Sequence, residues 1–353
     1  MKKNLLIAVL IGVVISSCKK DISVSDQTVI STAKDQLSVS AGNTILIVKT
    51  IAGMRDSTGP TLVDGTGKDA RFKAPLGIYL ANTGNLYVAD SKNNAIRKVT
   101  TDGTVTTLVN PAITAAHFSE PNAVGLYDDG SLAVVDKYDG GGRVSVFKPD
   151  GLFDYHDLIR SSLLGLAWDP FTKSFYEGTD FGPPFIHRVG SYYQGYGIDF
   201  NKLTYHLPSD YDGRFDSPYY TPRGFFFGFN NIIYMILSDP ESLKGDMFKI
   251  LRDGTPSHIY TDLKFKNVTS IVANHDSRSI YIVDNGAIKV IVNGKLQYIT
   301  GPNPKHHDSR DGVGTNADVY AYSLALSKDE NTLYFTDLNA NAVRKVILRL
   351  HSN

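Results

Sequence analysis

Residues 64–99 read DGTGKDARFKAPLGIYLANTGNLYVADSKNNAIRKV, and residues 311–346 read DGVGTNADVYAYSLALSKDENTLYFTDLNANAVRKV. Aligned without a gap, Asp64, Gly65, Gly67 and Ala70 match Asp311, Gly312, Gly314 and Ala317. Leu86-Tyr87-Val88-Ala89-Asp90 then matches Leu333-Tyr334-Phe335-Thr336-Asp337, and Ala95-Ile96-Arg97-Lys98-Val99 matches Ala342-Val343-Arg344-Lys345-Val346. Self-similarity at one constant offset marks a repeat architecture and takes precedence over local readings of the elements.

Within the first copy, short β-branched and aromatic runs are divided by turn residues, the pattern of consecutive antiparallel strands. Strands are expected near 76–80, 86–89, 95–100 and 105–109, with Asn82-Thr83-Gly84-Asn85 as the first turn. Asp102-Gly103, Asp150-Gly151, Asp253-Gly254 and Asn293-Gly294 read as tight hairpins with positive φ at both central residues. Equivalent second strands recur at 132–135, 175–178, 232–236, 280–283 and 333–336, which brings the count to six units.

Four-stranded units at this spacing predict an all-β, six-bladed β-propeller. Gly65-Thr66-Gly67, Ala70-Arg71-Phe72, Pro75, Gly84-Asn85-Leu86-Tyr87-Val88-Ala89-Asp90, Asn93-Asn94 and Ile96-Arg97-Lys98 resemble the NHL repeat nearly position by position. The likeness is strong in blades 1 and 6, moderate in 2 and 5, and poor in 3 and 4. The last unit ends with three strands, while 44–51 (TILIVKTI) belongs to no unit of its own. That segment is expected to supply the outer strand of blade 6 and so remove the open edge.

Residues 1–17 read as a leader: Lys2 and Lys3, an apolar run over 5–15, then Ser16 and Ser17 before Cys18, the one cysteine of the 353 residues. The run falls short of the ~20 apolar residues needed to cross a bilayer. Ile15-Ser16-Ser17-Cys18 resembles the lipobox of bacterial lipoproteins, which implies acylation of Cys18 and a membrane partner through that lipid. Lys19-Lys20-Asp21 partly resembles the surface-export signal of Bacteroidota lipoproteins, a pattern that Ile22 breaks. The polar stretch 18–43 is expected to be a tether, and 44–353 the propeller. Removing Lys2 and Lys3 leaves 34 basic against 36 acidic side chains, a formal −2 that carries no electrostatic footprint for nucleic acid.

The loops between blades and those joining second to third strands share one face. Asp90, Asp136, Asp284 and Asp337 end second strands there, with Asp180 and Asp239 as looser equivalents. A ring of carboxylates would suit Ca²⁺; the competing reading is that each Asp accepts backbone N–H groups in its own turn. His117, His306 and His307 lie in inter-blade loops of the same face and would suit a metal such as Zn²⁺. At the channel mouth, alignment on the second strands places Leu76, Asn122, Leu164, Arg223, Ser270 and Ser323 at one level, a half-polar wall for a small anionic or hydroxylated ligand. Arg223 can equally pair with a neighbouring loop. Aromatic residues crowd between Tyr155 and Phe229, among them Tyr192, Tyr193, Tyr196, Tyr219 and Tyr220, many in Gly-, Ser- and Asp-rich stretches that read as loops; exposed, they suit glycan stacking or a protein interface, and the competing reading is that the loops fold back and bury the rings over the blade. No Gly-x-Ser-x-Gly elbow is present.

NHL propellers are often recognition platforms, so the resemblance implies a non-catalytic, lipid-anchored binding module of the cell envelope for a glycan, peptide or protein. The alternative is a metal-dependent hydrolase or lyase of the lactonase or amidating-lyase propeller type, and fold alone does not choose between them.

Overall fold

A computed structural model describes residues 46–55, 59–109, 119–138, 141–159, 163–179, 185–197, 221–239 and 244–348. The leader, Cys18 and the tether lie outside these residues.

The described chain is a six-bladed β-propeller of antiparallel sheets. The innermost strands are Pro75–Leu80, Ser119–Leu126, Leu163–Asp169, Thr221–Phe227, Val268–Ala273 and Ala321–Leu326. Each blade then runs outward through three more strands, blades 1 and 6 adding a two-residue fifth, Gly65–Thr66 and Gly312–Val313, and blades 3 and 4 keep the four-strand order although their sequences depart from the repeat. In blade 1 the second strand, Leu86–Asp90, is buried along its whole length, because both of its faces are covered by neighbouring blades. The outer strand Thr104–Val109 is only intermittently buried and reads as alternation.

The core is distributed between blades rather than concentrated in one centre. Ala167, Tyr176 and Ile186 of blade 3 pack with Phe225, Phe227, Ile233 and Met235 of blade 4. Blade 1 meets blade 6 through Ile78, Val88, Ala325 and Val343, and Ala52 joins them from the N-terminal strand. Spacing between inner strands is set by absent side chains. A Cβ on Gly77 would come within 2.6 Å of the Ala123 Cα and the Asn122 carbonyl oxygen of the next blade.

Ring closure follows the sequence expectation. Strand Ile47–Gly53 pairs antiparallel with Ala342–Ile347 as the outer strand of blade 6. The side chains reproduce the arrangement in blade 1. Asp64 accepts the Thr107 N–H at 3.0 Å and the Thr107 hydroxyl at 2.8 Å. Asp311, its equivalent, accepts the Thr50 N–H at 2.9 Å and the Thr50 hydroxyl at 2.8 Å. Thr50 therefore occupies the position of Thr107, although it lies 261 residues from its partner.

The hairpins differ from expectation in one respect. Positive φ at both central residues holds for Asn293-Gly294, whereas in Asp102-Gly103, Asp150-Gly151 and Asp253-Gly254 only the glycine has it. In those turns the aspartate does other work: Asp150 and Asp253 each accept the N–H two residues on, from Leu152 and Thr255, at 2.9 Å. That side-chain bond favours a turn in which Asp keeps negative φ and glycine alone is left-handed.

Candidate functional site

Asp90, Asp136, Asp284 and Asp337 are all buried, and each is bound by a cation from the third strand of its own blade. Arg97 meets Asp90 at 2.8 Å, Arg143 meets Asp136 at 2.6 Å, and Arg344 meets Asp337 at 2.5 Å, each seven residues downstream. In blade 5 the tighter Asn285-Gly286 turn shortens the interval, and Lys289 reaches Asp284 at 2.6 Å. The remaining acceptor capacity holds the incoming loop. Asp90 takes the Lys73 N–H at 2.7 Å, and Asp284 takes those of Lys266 and Asn267, also at 2.7 Å. Asp337 additionally accepts from Asn339 and Ala340 at 3.0 Å, the local turn bonds weighed above.

Arg97 is completely buried and also donates to the Arg71 and Val63 carbonyls and to Asp64, with Phe72 under its guanidinium. Arg344 repeats this with the Asp318 and Arg310 carbonyls and Asp311. A desolvated carboxylate held by arginine and backbone N–H groups is a structural pin. The carboxylates for which a Ca²⁺ ring was weighed are thus occupied within their own blades. Burial pushes the Asp90 carboxyl up to about 6, against the pull of Asn93, Lys73 and Arg97. The arginine partners were legible as Asp-x6-Arg in blades 1, 2 and 6.

His306 and His307 are exposed. Asp318 orders their loop by accepting the Asn303 and Ser309 N–H groups at 2.9 Å. His306 Nδ1 lies 3.1 Å from Arg310 Nη2, a contact with a cation and not with another metal-ligating group. His117 and Asp180 lie outside the described residues. Among the described residues no three His, Cys, Asp or Glu side chains come together as a metal-holding group.

The channel mouth is where the sequence-selected residues converge. All six inner strands carry a register shift near their start: Pro75/Ile78, Ser119/Ala123, Leu163/Leu166, Pro222/Gly224, Val268/Ser270 and Ala321/Leu324. A bulge re-aims backbone and side chains at the place where ladder pairing lapses. Just inside lies a cavity of about 110 Å³ whose lining includes Asn122, Thr269, Ser270, Tyr322 and Ser323, together with the bare backbone of Gly77, Gly165 and Gly224. Ile78, Val124, Ile271 and Leu324 each pair with the residue two before the buried aspartate of their blade, which fixes a common level. Counting back from it, Leu76 and Asn122 correspond to Thr269 and Tyr322, so Ser270 and Ser323 stand one residue deeper than sequence alignment placed them. The hairpin between first and second strands accounts for the offset: Asn274 bonds Ser279 and Ser327 bonds Thr332 in blades 5 and 6, one residue longer than Ala81 to Asn85 and Tyr127 to Ser131 in blades 1 and 2.

The two serines link blades. Ser270 Oγ accepts the Leu324 N–H at 3.0 Å, and Ser323 Oγ accepts the Ile78 N–H at 3.4 Å. Thr269 donates to the Tyr322 carbonyl at 2.6 Å. Asn122 Oδ1 is buried without a hydrogen-bond partner. At the rim, Glu120 binds both Lys92 and Lys137, and these bonds hold its carboxyl down at about 2. Arg223 belongs to the bulge of blade 4, but its side chain lies outside the described set.

The tyrosines divide differently from expectation. Tyr192, Tyr193 and Tyr196 fall on a strand, Ser191–Gly197, the outer strand of blade 3, and not on a loop. Tyr219 and Tyr220 lie outside the described residues.

Residues 72–99, within blade 1, match the NHL repeat. No curated protein matches the sequence. Among solved structures, a Bacteroides thetaiotaomicron protein of unknown function is similar, with 17% identity, a TM-score of 0.61, and coverage of 86% of this chain and 76% of its own. An auxiliary nutrient binding protein from Bacteroides ovatus gives 13% identity and a TM-score of 0.60, covering 85% and 76%. A gluconolactonase from Xanthomonas campestris gives 13% and 0.53, covering 88% and 99%. At these identities the likeness establishes the propeller fold.

Proposed function

We propose that the protein is a non-catalytic binding module, an NHL-type propeller that takes a glycan, peptide or protein ligand at its channel mouth. The observation that carries this reading is the cavity behind the six bulges, where hydroxyls and Asn122 converge around bare backbone at Gly165, while Gly77 and Gly224 let neighbouring inner strands approach closely. Concave sites with a few convergent polar groups are where ligands bind. The nutrient-binding neighbour is compatible with it. The Tyr-rich strand of blade 3 and residues 219–220 are a second candidate contact. Anchoring through a lipid on Cys18, after removal of residues 1–17, would place the domain in the cell envelope at the outer membrane. Mass spectrometry of the N-terminal peptide tests that directly, and Cys18→Ala should release the protein from the membrane fraction.

A metal-dependent hydrolase or lyase is the second reading, supported by lyase and gluconolactonase neighbours of the same fold. Elemental analysis of the purified protein, with thermal melts before and after chelation, separates the two. Stoichiometric metal and a chelation-sensitive melt would favour the enzyme. Glycan or peptide array binding that survives chelation and is lost in Asn122→Leu is expected for the binding module.

A further inference from the structure

The face opposite the channel mouth is built from the turns that join first to second and third to fourth strands, and these turns lie among the described residues in every blade. On blades 3 and 4 they hold three large apolar side chains in solvent: Phe171 is 54% exposed, Phe229 55% and Leu251 47%. The turns themselves do not require them. The Gly228 N–H donates to the Ile232 carbonyl as the Ala81 N–H donates to that of Asn85, and Leu251 donates to Thr255 as Thr100 donates to Thr104. Phe229 and Leu251 thus stand where blade 1 has Asn82 and Thr100. The three apolar residues belong to one surface. The Arg252 guanidinium lies 5.7 Å from the centre of the Phe171 ring and 4.8 Å from that of Phe227, so it ties Leu251 both to the blade 3 turn and to the strand end that leads into Phe229. From blade 5, His275 rests against Phe229 with ring centres 4.3 Å apart.

Exposed apolar side chains gathered on one surface mark a contact with another molecule, and the charges around them select its kind. On the turns of blades 2 to 4, Asp128, Asp129, Asp150 and Asp253 are exposed. Among the cations there, Lys148 and Arg252 are neutralised by Asp154 and Asp169, and the half-buried Arg188 is turned to Ser174. That leaves Lys173 against four carboxylates, so the rim is acidic. Like charge disfavours a second copy of the same face and an anionic lipid surface alike, whereas a cationic surface is attracted. We infer that this face docks a partner protein through a segment that presents an aromatic or aliphatic side chain flanked by lysine or arginine. The face stands apart from the channel mouth, and the inference does not rest on the ligand proposed there.

Short random peptides displayed on phage, selected on the full chain and in parallel on a Phe229→Asn/Leu251→Thr variant, test it. The variant carries blade 1's own residues at these turns and should melt as the parent does, which separates contact from fold. The expected result is enrichment, on the parent alone, of peptides with an apolar centre and Lys or Arg beside it. One such peptide, titrated as a synthetic chain, should bind the variant about tenfold more weakly, the effect of about 1.4 kcal/mol. Asp253→Asn keeps the acceptor that the Thr255 N–H uses and removes the charge, so it should weaken the same peptide and reduce its sensitivity to salt. Enrichment of acidic or uncharged peptides, of the same peptides on parent and variant, or of none would overturn the inference. Self-association seen by sedimentation velocity, or flotation with phosphatidylglycerol vesicles, would overturn it as well if the variant abolished it, since each identifies a different occupant.

Discussion

Arg344 shows what a single side chain does in this fold. It is fully buried, and its two terminal nitrogens bind Asp337, Asp311 and two loop carbonyls that come from different segments of blade 6. Removing one partner of such a pair leaves an uncompensated buried charge. Arg344→Met should therefore lower unfolding free energy by about 3–5 kcal/mol, read by urea denaturation. Asp169 is the comparable joint on the opposite face, where Arg252 of blade 4 holds it by two bonds of 2.6 and 2.7 Å. Burial alone would raise its pKa, but Arg252, the Phe171 N–H and Thr172 outweigh burial and hold it below the ordinary aspartate value. Because the folded pKa is depressed, its stabilisation is present above the unfolded value of about 3.9 and disappears as pH falls through the folded one. Asp90 has the opposite sign: raised to about 6, it takes up a proton in the folded state first and favours folding as pH falls from 6 toward 4. Melting temperature should accordingly rise slightly as pH falls from 6 to 4 and drop below 4. Asp169→Asn should flatten the fall below 4, and a steep loss already at pH 5 would contradict this account.

At the scale of the element, the closing strand carries the strongest consequence. Ile47–Gly53 supplies Val48 and Ala52 to the core and Thr50 to the Asp311 clasp, and without it Ala342–Ile347 becomes an open edge. A chain beginning after Gly53 should melt at least ~10 °C lower, since several kcal/mol of burial and pairing are lost at roughly 2–4 °C per kcal/mol for a chain of this order of size. A normal melt for that truncation would show that blade 6 closes by other means. This element was legible in sequence, because an orphan apolar run and a three-stranded last unit each lacked what the other had. The length of the first hairpin was not. Blades 5 and 6 carry one more turn residue between first and second strands than blades 1 and 2, and a turn residue leaves the hydrophobic pattern on either side unchanged, so aligning second strands slipped Ser270 and Ser323 by one position relative to Asn122. The tyrosines of 191–197 looked like loop residues because glycine and serine surround them, yet pairing with Phe185–Arg188 makes that stretch a strand.

Across the whole molecule, the sequence by itself determined the number of blades, the turn positions, the closing strand and the aspartates that recur at each second strand. Those properties are periodic, and a period is visible in one dimension. Only the tertiary structure decided what the recurring aspartates do. Their partners are a cation on the next strand and N–H groups of a loop roughly seventeen residues earlier, as for Asp90 and Lys73, so the ion pairs exist only once the blade is folded. The channel pocket likewise belongs to no single segment, since six inner strands each contribute one or a few residues to it and its volume depends on how closely glycine lets neighbouring backbones approach. Repetition specifies the ring, while the differences between blades acquire chemical meaning only where the ring brings them face to face.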